Sequence, residues 1–212
     1  SATGRYAGRD VMLVSWYHKP EEDGNADFPK GVRVSIVDHT NIGAVRYRHA
    51  LLAEPVEVNG RVDLVPISGR TESVHAGGIV WFGDLLYIAD TSNGFRVFDM
   101  SRILRVQTGQ INRLGYDAGE DEYHAYNYRY VIPQTGRYQL CQTSCCARFS
   151  FVSLDRTSDP PRMIAGEYVS DAPSGRLHAW PLDEDDGRLW TVEAGAQSSH
   201  AWFIGAAKIQ GA

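Results

Sequence analysis

The run of residues 75–100 constrains the fold most strongly, because short apolar segments alternate in it with turn residues. Residues 85–89 and 95–98 are rich in aromatic and branched side chains, which favour strands over helices. Gly83-Asp84 and Asn93-Gly94 separate the segments, and Gly and Asn tolerate the positive φ angles of tight hairpin turns. The run therefore predicts three consecutive antiparallel strands, the pattern of one propeller blade.

Strand-rich blocks recur along the chain at intervals of about forty to fifty residues, which is typical of repeat architectures. The sequence predicts four of them, at residues 11–52, 75–100, 126–154 and 163–192. We therefore predict an all-β fold in which residues 1–212 form a single β-propeller domain of about four blades. A β-sandwich is the alternative.

The C-terminal residues bear on how such a ring would close. Residues 208–212 resemble residues 73–78, which lead into the first strand of the second block. A propeller must cover both faces of every blade. We therefore expect a larger ring of six or seven blades, incomplete at the C-terminal end of this chain and completed by a second polypeptide fragment or a second copy.

Charge and hydropathy argue against two classes of partner. The chain has 21 Lys and Arg against 26 Asp and Glu, without a basic stripe for a phosphate backbone, so we expect no nucleic acid. No stretch approaches the roughly 18 to 20 apolar residues that cross a bilayer, so we expect no membrane span. Residues 1–4 lack the pattern of a leader peptide, and the numbering is expected to begin on a mature chain.

The three cysteines, Cys141, Cys145 and Cys146, lie within one six-residue segment. A zinc site needs four ligands, and no second Cys pair or nearby His supplies the others. The favoured interpretation is a local disulfide from Cys141 to one of the other two, which implies an oxidising compartment. The remaining sulfur would be free or bonded to a cysteine outside these residues.

A His-Ala pair recurs at His75, His124 and His200. If each pair marks the start of an inner strand, the three imidazoles would converge on a central channel, with His18 as a fourth. There they could hold a divalent metal or act as acid and base, which predicts a metal-dependent lyase or hydrolase. The alternative, which we favour, is that each ring hydrogen-bonds a loop carbonyl, with no catalytic residue and no cofactor.

The tryptophans offer a third hypothesis, a carbohydrate-binding propeller with aromatic rings along a sugar-binding face. Packing between sheets needs about one large aromatic residue per blade, however, so we predict that they belong to the core. The residues are Trp16, Trp81, Trp180, Trp190 and Trp202.

Three segments are similar to secreted β-propellers of filamentous actinobacteria, the dispase autolysis-inducing protein family. They are residues 75–103, 149–156 and 163–183, which include His-Ala-Gly-Gly-Ile-Val-Trp, Phe-Ser-Phe-Val-Ser-Leu-Asp-Arg and Gly-Arg-Leu-His-Ala-Trp-Pro-Leu-Asp. The resemblance implies a seven-bladed, exported, non-catalytic protein that acts on a neutral metalloprotease and serves as a glutamine donor to transglutaminase.

A reactive glutamine needs exposed, mobile backbone, which loops provide. The candidates on that ground are Gln107, Gln110, Gln142 and Gln197. The leading hypothesis is therefore a secreted, extracellular, non-catalytic protein-interaction module whose partner is a protein, with a secreted metalloprotease as the partner that the resemblance implies.

Overall fold

The computed structural model of the chain describes residues 4–18, 31–67, 74–91, 93–139, 147–193 and 195–211, and the predicted all-β class is confirmed. The strands, in chain order, are β1 (Arg5–Tyr6), β2 (Arg9–Tyr17), β3 (Val32–Asp38), β4 (Arg46–Val58), β5 (Arg61–Pro66), β6 (Ile79–Phe82), β7 (Leu85–Asp90), β8 (Gly94–Asp99), β9 (Leu104–Arg105), β10 (Leu114–Asp117), β11 (Glu122–Ala125), β12 (Tyr130–Gln139), β13 (Phe149–Asp155), β14 (Arg162–Glu167), β15 (Arg176–Pro181), β16 (Thr191–Val192), β17 (Gly195–Ala196) and β18 (His200–Phe203).

Helix is confined, in the described ranges, to the 3-10 turns Ile42–Ala44 and Met100–Arg102. None of the helices in this part of the chain is long and apolar enough to cross a membrane. The chain divides into two compact units. Unit 1 contains the described residues of His75–Val97 and Gly136–Ala212, and unit 2 contains those of Gly4–Val74 and Phe98–Thr135.

Unit 2 is organised around the long strand β4. β1, β2, β3 and β4 pair antiparallel in chain order, and β5 folds back onto the second half of β4. On its other side β4 pairs in parallel with β12, with Tyr130 opposite Ala50. β10 and β11 form a separate hairpin. Buried apolar side chains from these strands form the core of the unit: Leu51, Ala53, Leu64, Ala125 and Val131.

The three strands predicted in residues 75–100 form as β6, β7 and β8, and all but the last two residues of β8 belong to unit 1. β6 pairs antiparallel with β7, which lies beside β8. The predicted turns are also in place, with Gly83 at φ 57° and Gly94 at φ 107°. A second sheet has the order β13-β14-β15-β18, with every neighbouring pair antiparallel, and β16 and β17 form a short hairpin.

Aromatic side chains hold the core of unit 1 together. Phe95 stacks on Phe149 with ring centroids 5.0 Å apart. Trp180 meets both rings edge-on, at 5.2 and 5.1 Å. Tyr87 lies in the same core, and its hydroxyl donates to the carbonyl of Gly187 at 2.8 Å. β8, which contains Phe95, therefore packs against β13 and β15 through aromatic contacts.

The predicted four-block arrangement is altered at β12. The sequence groups residues 126–132 with residues 149–154 as one blade, but Tyr130–Pro133 pairs with β4 of the first block. The sheet β13-β14-β15-β18 has the four antiparallel strands expected of a blade. The described residues thus show an all-β fold without four equivalent blades, and the propeller stays a prediction.

Candidate functional site

The strand β18 is a fully exposed strand at the edge of a sheet in unit 1. It is the last strand of its sheet and pairs only with β15 among the described strands. All four of its residues, His200 to Phe203, are exposed. An edge strand presents unpaired backbone N–H and C=O groups, and proteins ordinarily protect such edges with charges, proline or a covering segment. The four residues of β18, His200 to Phe203, include no Lys and no Pro, and three of the four are apolar.

The hydrogen bonds next to β18 show which backbone groups face outward. The N–H of Ile204 donates to the carbonyl of Gly175 at 2.8 Å, so the backbone groups of residue 204 point toward the β15 side. Because antiparallel strands alternate these directions, Trp202 also faces β15. The N–H and C=O groups of Ala201 and Phe203 therefore point away from it, along the open edge.

Phe203 is notable because it lies on the core side of the sheet. In the register of the sheet, Phe203 is opposite Arg176 and Ala201 is opposite His178, and alternation places these side chains on the same face as Trp180. Trp180 is 7% exposed, whereas Phe203 is 77% exposed. The apolar face that forms the core of unit 1 thus continues onto β18 without being covered there.

On the opposite face of β18, His200 and Trp202 form an aromatic pair. Their rings are nearly parallel, with centroids 5.3 Å apart and an interplanar angle of 6°. Nδ1 of His200 lies 3.0 Å from the hydroxyl of Ser199. Trp202 nevertheless remains 47% exposed, so both faces of the strand offer aromatic surface.

A buried carboxylate fixes the strands that support β18. Glu167 accepts a bidentate pair from Arg176, with Nε to Oε2 and Nη2 to Oε1 both at 2.7 Å. It also accepts the backbone N–H groups of Arg148 and Arg176. Burial acts to raise the pKa of Glu167, but these hydrogen bonds and the Arg176 charge outweigh it and the pKa is lowered. The carboxylate of Glu167 in β14 therefore bonds both β15 and the residue that precedes β13.

The predicted histidines occupy dissimilar places. His75 is exposed and lies four residues before β6, while His200 begins the edge strand β18. His124 lies near the end of β11, is 1% exposed, and has Nε2 at 3.0 Å from Oε2 of Glu120. His18 follows β2, and its N–H donates to the carbonyl of Gly31. Their positions relative to the strands therefore differ, and a shared role for these histidines stays a prediction.

No group of three or more His, Cys, Asp or Glu side chains within the described ranges is placed to hold a metal ion. The cysteine segment, with Cys141, Cys145, Cys146 and the candidate Gln142, lies outside those ranges. The disulfide therefore stays a prediction.

The other three candidate glutamines are exposed but differ in their contacts. Nε2 of Gln107 donates to Glu122 at 3.2 Å, and Nε2 of Gln110 donates to Glu120 at 2.9 Å. Gln197 follows β17 in a stretch without regular structure. Two of the three side-chain amides are therefore held by carboxylates.

The prediction that the tryptophans belong to the core is wrong for three of them. Trp180 is buried, but Trp16, Trp190 and Trp202 are 47%, 52% and 47% exposed. Trp190 and Trp202 lie near or on short strands at the margins of unit 1, where no second sheet covers them in the described residues. Aromatic content alone did not distinguish a core strand from an edge strand.

A polar network in unit 2 was not predicted from the sequence. The hydroxyl of Ser35 lies 2.8 Å from Nδ1 of His49 and accepts a hydrogen bond from Nε1 of Trp16, also at 2.8 Å. Burial first, and then the Arg33 charge, lower the pKa of His49. Trp16 can only donate, so the Ser35 hydroxyl oxygen is the acceptor in its bond with Trp16. Ser35 is 4% exposed, and the three side chains connect β2, β3 and β4.

Comparisons with known proteins identify no relative: no protein-family model, no curated protein and no solved structure matches the chain.

Proposed function

We propose that this protein is a secreted, non-catalytic interaction module of the β-propeller type, in which β18 binds an extended segment of a partner polypeptide. The observation that carries the proposal is the open edge of β18, where Ala201 and Phe203 direct backbone groups outward and every side chain is exposed. A peptide that adds a strand to such an edge gains main-chain hydrogen bonds, and its alternate side chains contact the two faces.

The exposed apolar surface indicates the chemistry of the partner segment. Phe203 extends the core face of the sheet and Trp202 extends the outer face. A segment with apolar side chains at alternating positions would cover both. We propose that it belongs to a neutral metalloprotease, the partner that the family resemblance implies.

Binding of a dispase-type neutral metalloprotease, held inactive by chelation of its zinc, tests the proposal. Ala201→Pro removes an outward N–H without touching a bond to β15, and Phe203→Lys places a charge on the apolar edge. We expect each to raise the Kd at least tenfold. Val192→Lys is the matched control, since Val192 is 56% exposed on the separate β16-β17 hairpin, and its Kd should equal that of the wild type.

Three outcomes would overturn this assignment. The protease fails to bind the folded wild type, or the β18 variants bind as tightly as Val192→Lys. Alternatively, sedimentation shows a dimer of the wild type that Ala201→Pro dissociates, in which case the strand on β18 comes from a second copy. Circular dichroism and thermal melting of each variant establish that the comparison is between folded proteins.

The glutamine-donor part of the proposal assigns reactivity to Gln197. Its side chain is exposed, whereas the amides of Gln107 and Gln110 are bonded to carboxylates. Incorporation of a fluorescent amine by transglutaminase, mapped by mass spectrometry, should label Gln197 in preference to those two. Equal labelling of the three, or none at Gln197, would contradict it.

A further inference from the structure

A cavity of about 440 Å³ borders the sheet β2-β3-β4 of unit 2. Apolar side chains from several elements line it, namely Val11, Ile36, Ala50, Ile103 and Tyr130. Its volume falls within the range of small-molecule sites, which are mostly apolar with a few polar groups that fix the ligand. The cavity therefore has the size and the lining of a ligand site.

Arginine side chains supply the polar groups. Arg9, Arg46 and Arg48 all border the cavity. In the register of β3 and β4, Arg46 is opposite Asp38 and Arg48 is opposite Ile36. Strand alternation therefore places Arg46 and Arg48 on the same face of β4 as Ala50, next to the apolar lining.

The charges around the cavity do not balance. Asp38 is the one carboxylate among the lining residues, and it accepts hydrogen bonds from Nη1 of Arg9 at 2.6 Å and from the Thr40 hydroxyl at 2.7 Å. Within the described part of the chain, neither Arg46 nor Arg48 has a carboxylate partner. Arg48 donates instead to the carbonyl of Tyr47 at 2.9 Å. Two guanidinium charges therefore remain beside an apolar cavity.

We propose that this cavity binds an amphipathic carboxylate, a small molecule with one carboxylate group and an apolar body of about eight carbon atoms. The carboxylate pairs with Arg46 and Arg48, because the planar guanidinium matches carboxylate geometry. The body packs against Ile36, Ile103 and Tyr130, where burial of its apolar surface favours binding. Neither part alone satisfies both the charge and the apolar surface.

Calorimetric titration with octanoate, 1-octanol and inorganic phosphate separates the two contributions. Octanoate should bind, while 1-octanol, which has the same number of carbon atoms without charge, and phosphate, which has charge without an apolar body, should each bind at least tenfold more weakly. The double variant Arg46→Gln/Arg48→Gln should weaken octanoate binding at least tenfold. Arg102→Gln is the matched control, since Arg102 pairs with Asp99, has a side chain 72% exposed and does not border the cavity.

Each contrary result identifies a different error. Equal affinity for octanoate and 1-octanol shows that the arginines do not recognise an anion, and equal affinity for phosphate reduces the site to a surface charge patch. Absence of octanoate binding by the folded wild type, or an unchanged Kd in the double variant, overturns the proposal outright. Circular dichroism spectra of both variants check that the sheet is intact.

Discussion

Gly77 and Gly78 are required by space rather than by backbone angle. A Cβ atom on Gly77 would lie 2.1 Å from the carbonyl oxygen of Ser150, and one on Gly78 would lie 2.3 Å from the backbone nitrogen of Val152. Both obstacles are backbone atoms of β13, which cannot rotate aside as a side chain can. The two glycines thus allow the segment before β6 to lie directly against the second sheet of unit 1.

Gly78→Ala should therefore destabilise the protein. The added methyl group forces β13 to shift, and overpacking of this kind typically costs about 1 to 3 kcal/mol in the free energy of unfolding. Gly136→Ala is the control, because no heavy atom lies within 4 Å of its Cβ position. Urea unfolding should give a lower midpoint for Gly78→Ala and a nearly unchanged one for Gly136→Ala. Equal midpoints would show that β13 can shift without a loss in the free energy of unfolding.

A buried ion pair connects β7 to β8. Asp90 and Arg96 are 4% and 7% exposed, and Nε of Arg96 lies 2.8 Å from Oδ2 of Asp90. Oδ1 of Asp90 accepts from the side-chain amide of Asn93 at 3.0 Å. One carboxylate thus orders the turn and compensates a buried guanidinium.

Asp90→Ala should lower the free energy of unfolding by about 3 to 5 kcal/mol, since it takes a carboxylate away from a buried guanidinium. Asp186→Ala removes a carboxylate from an exposed pair, in which Nε of Arg188 lies 3.5 Å from Oδ2, and should cost about 1 kcal/mol or less. The two variants are compared by denaturant titration. A similar small loss in both would mean that the pair in the hairpin is not a stabilising element.

Local signals explain what could be predicted at this scale. The strands β6, β7 and β8 were predicted because the glycines at residues 83 and 94 mark their turns within the sequence itself. The pairing of β12 with β4 joins residues roughly 80 positions apart. No turn residue in the sequence indicates such a long-range pairing. Arg46 and Arg48 likewise resemble ordinary surface charges until the register aligns them with a cavity.

Across the whole molecule, each unit contains a histidine whose pKa is lowered by its surroundings. In unit 2, burial and the Arg33 charge lower the pKa of His49. In unit 1, burial and the Arg176 charge lower the pKa of His178, and Glu167 opposes them only in part. Neither environment is readable from the sequence, because each depends on strands that meet only in the fold.

These histidines predict how stability depends on pH. Their folded pKa values lie below the unfolded value of about 6.5, so the unfolded chain binds more protons in acid. Their contribution is complete above that pH and is lost as the pH falls through 6.5 toward the lowered values. The carboxylates of Asp38 and Asp155 have pKa values of about 2. They therefore become protonated only at a pH well below the range in which the histidines titrate.

Urea unfolding at pH 7.5, 6.5 and 5.5 measures this dependence. The wild type should lose stability with each step toward acid. The double variant His49→Gln/His178→Gln should show a shallower slope, whatever its stability at pH 7.5, and each single variant should fall between. A slope that is the same in the wild type and the double variant would assign the acid sensitivity to other groups.

The parallel ladder of β4 and β12 also has a kinetic consequence. Pairing of residues 50–53 with residues 130–133 closes a loop of about eighty residues. The chain loses the entropy of loop closure before the contacts of the ladder have formed to offset it. We expect this ladder to form late in folding, so that a nascent chain presents one side of β4 to its neighbours until β12 arrives. Refolding yield should therefore decline as the protein concentration rises.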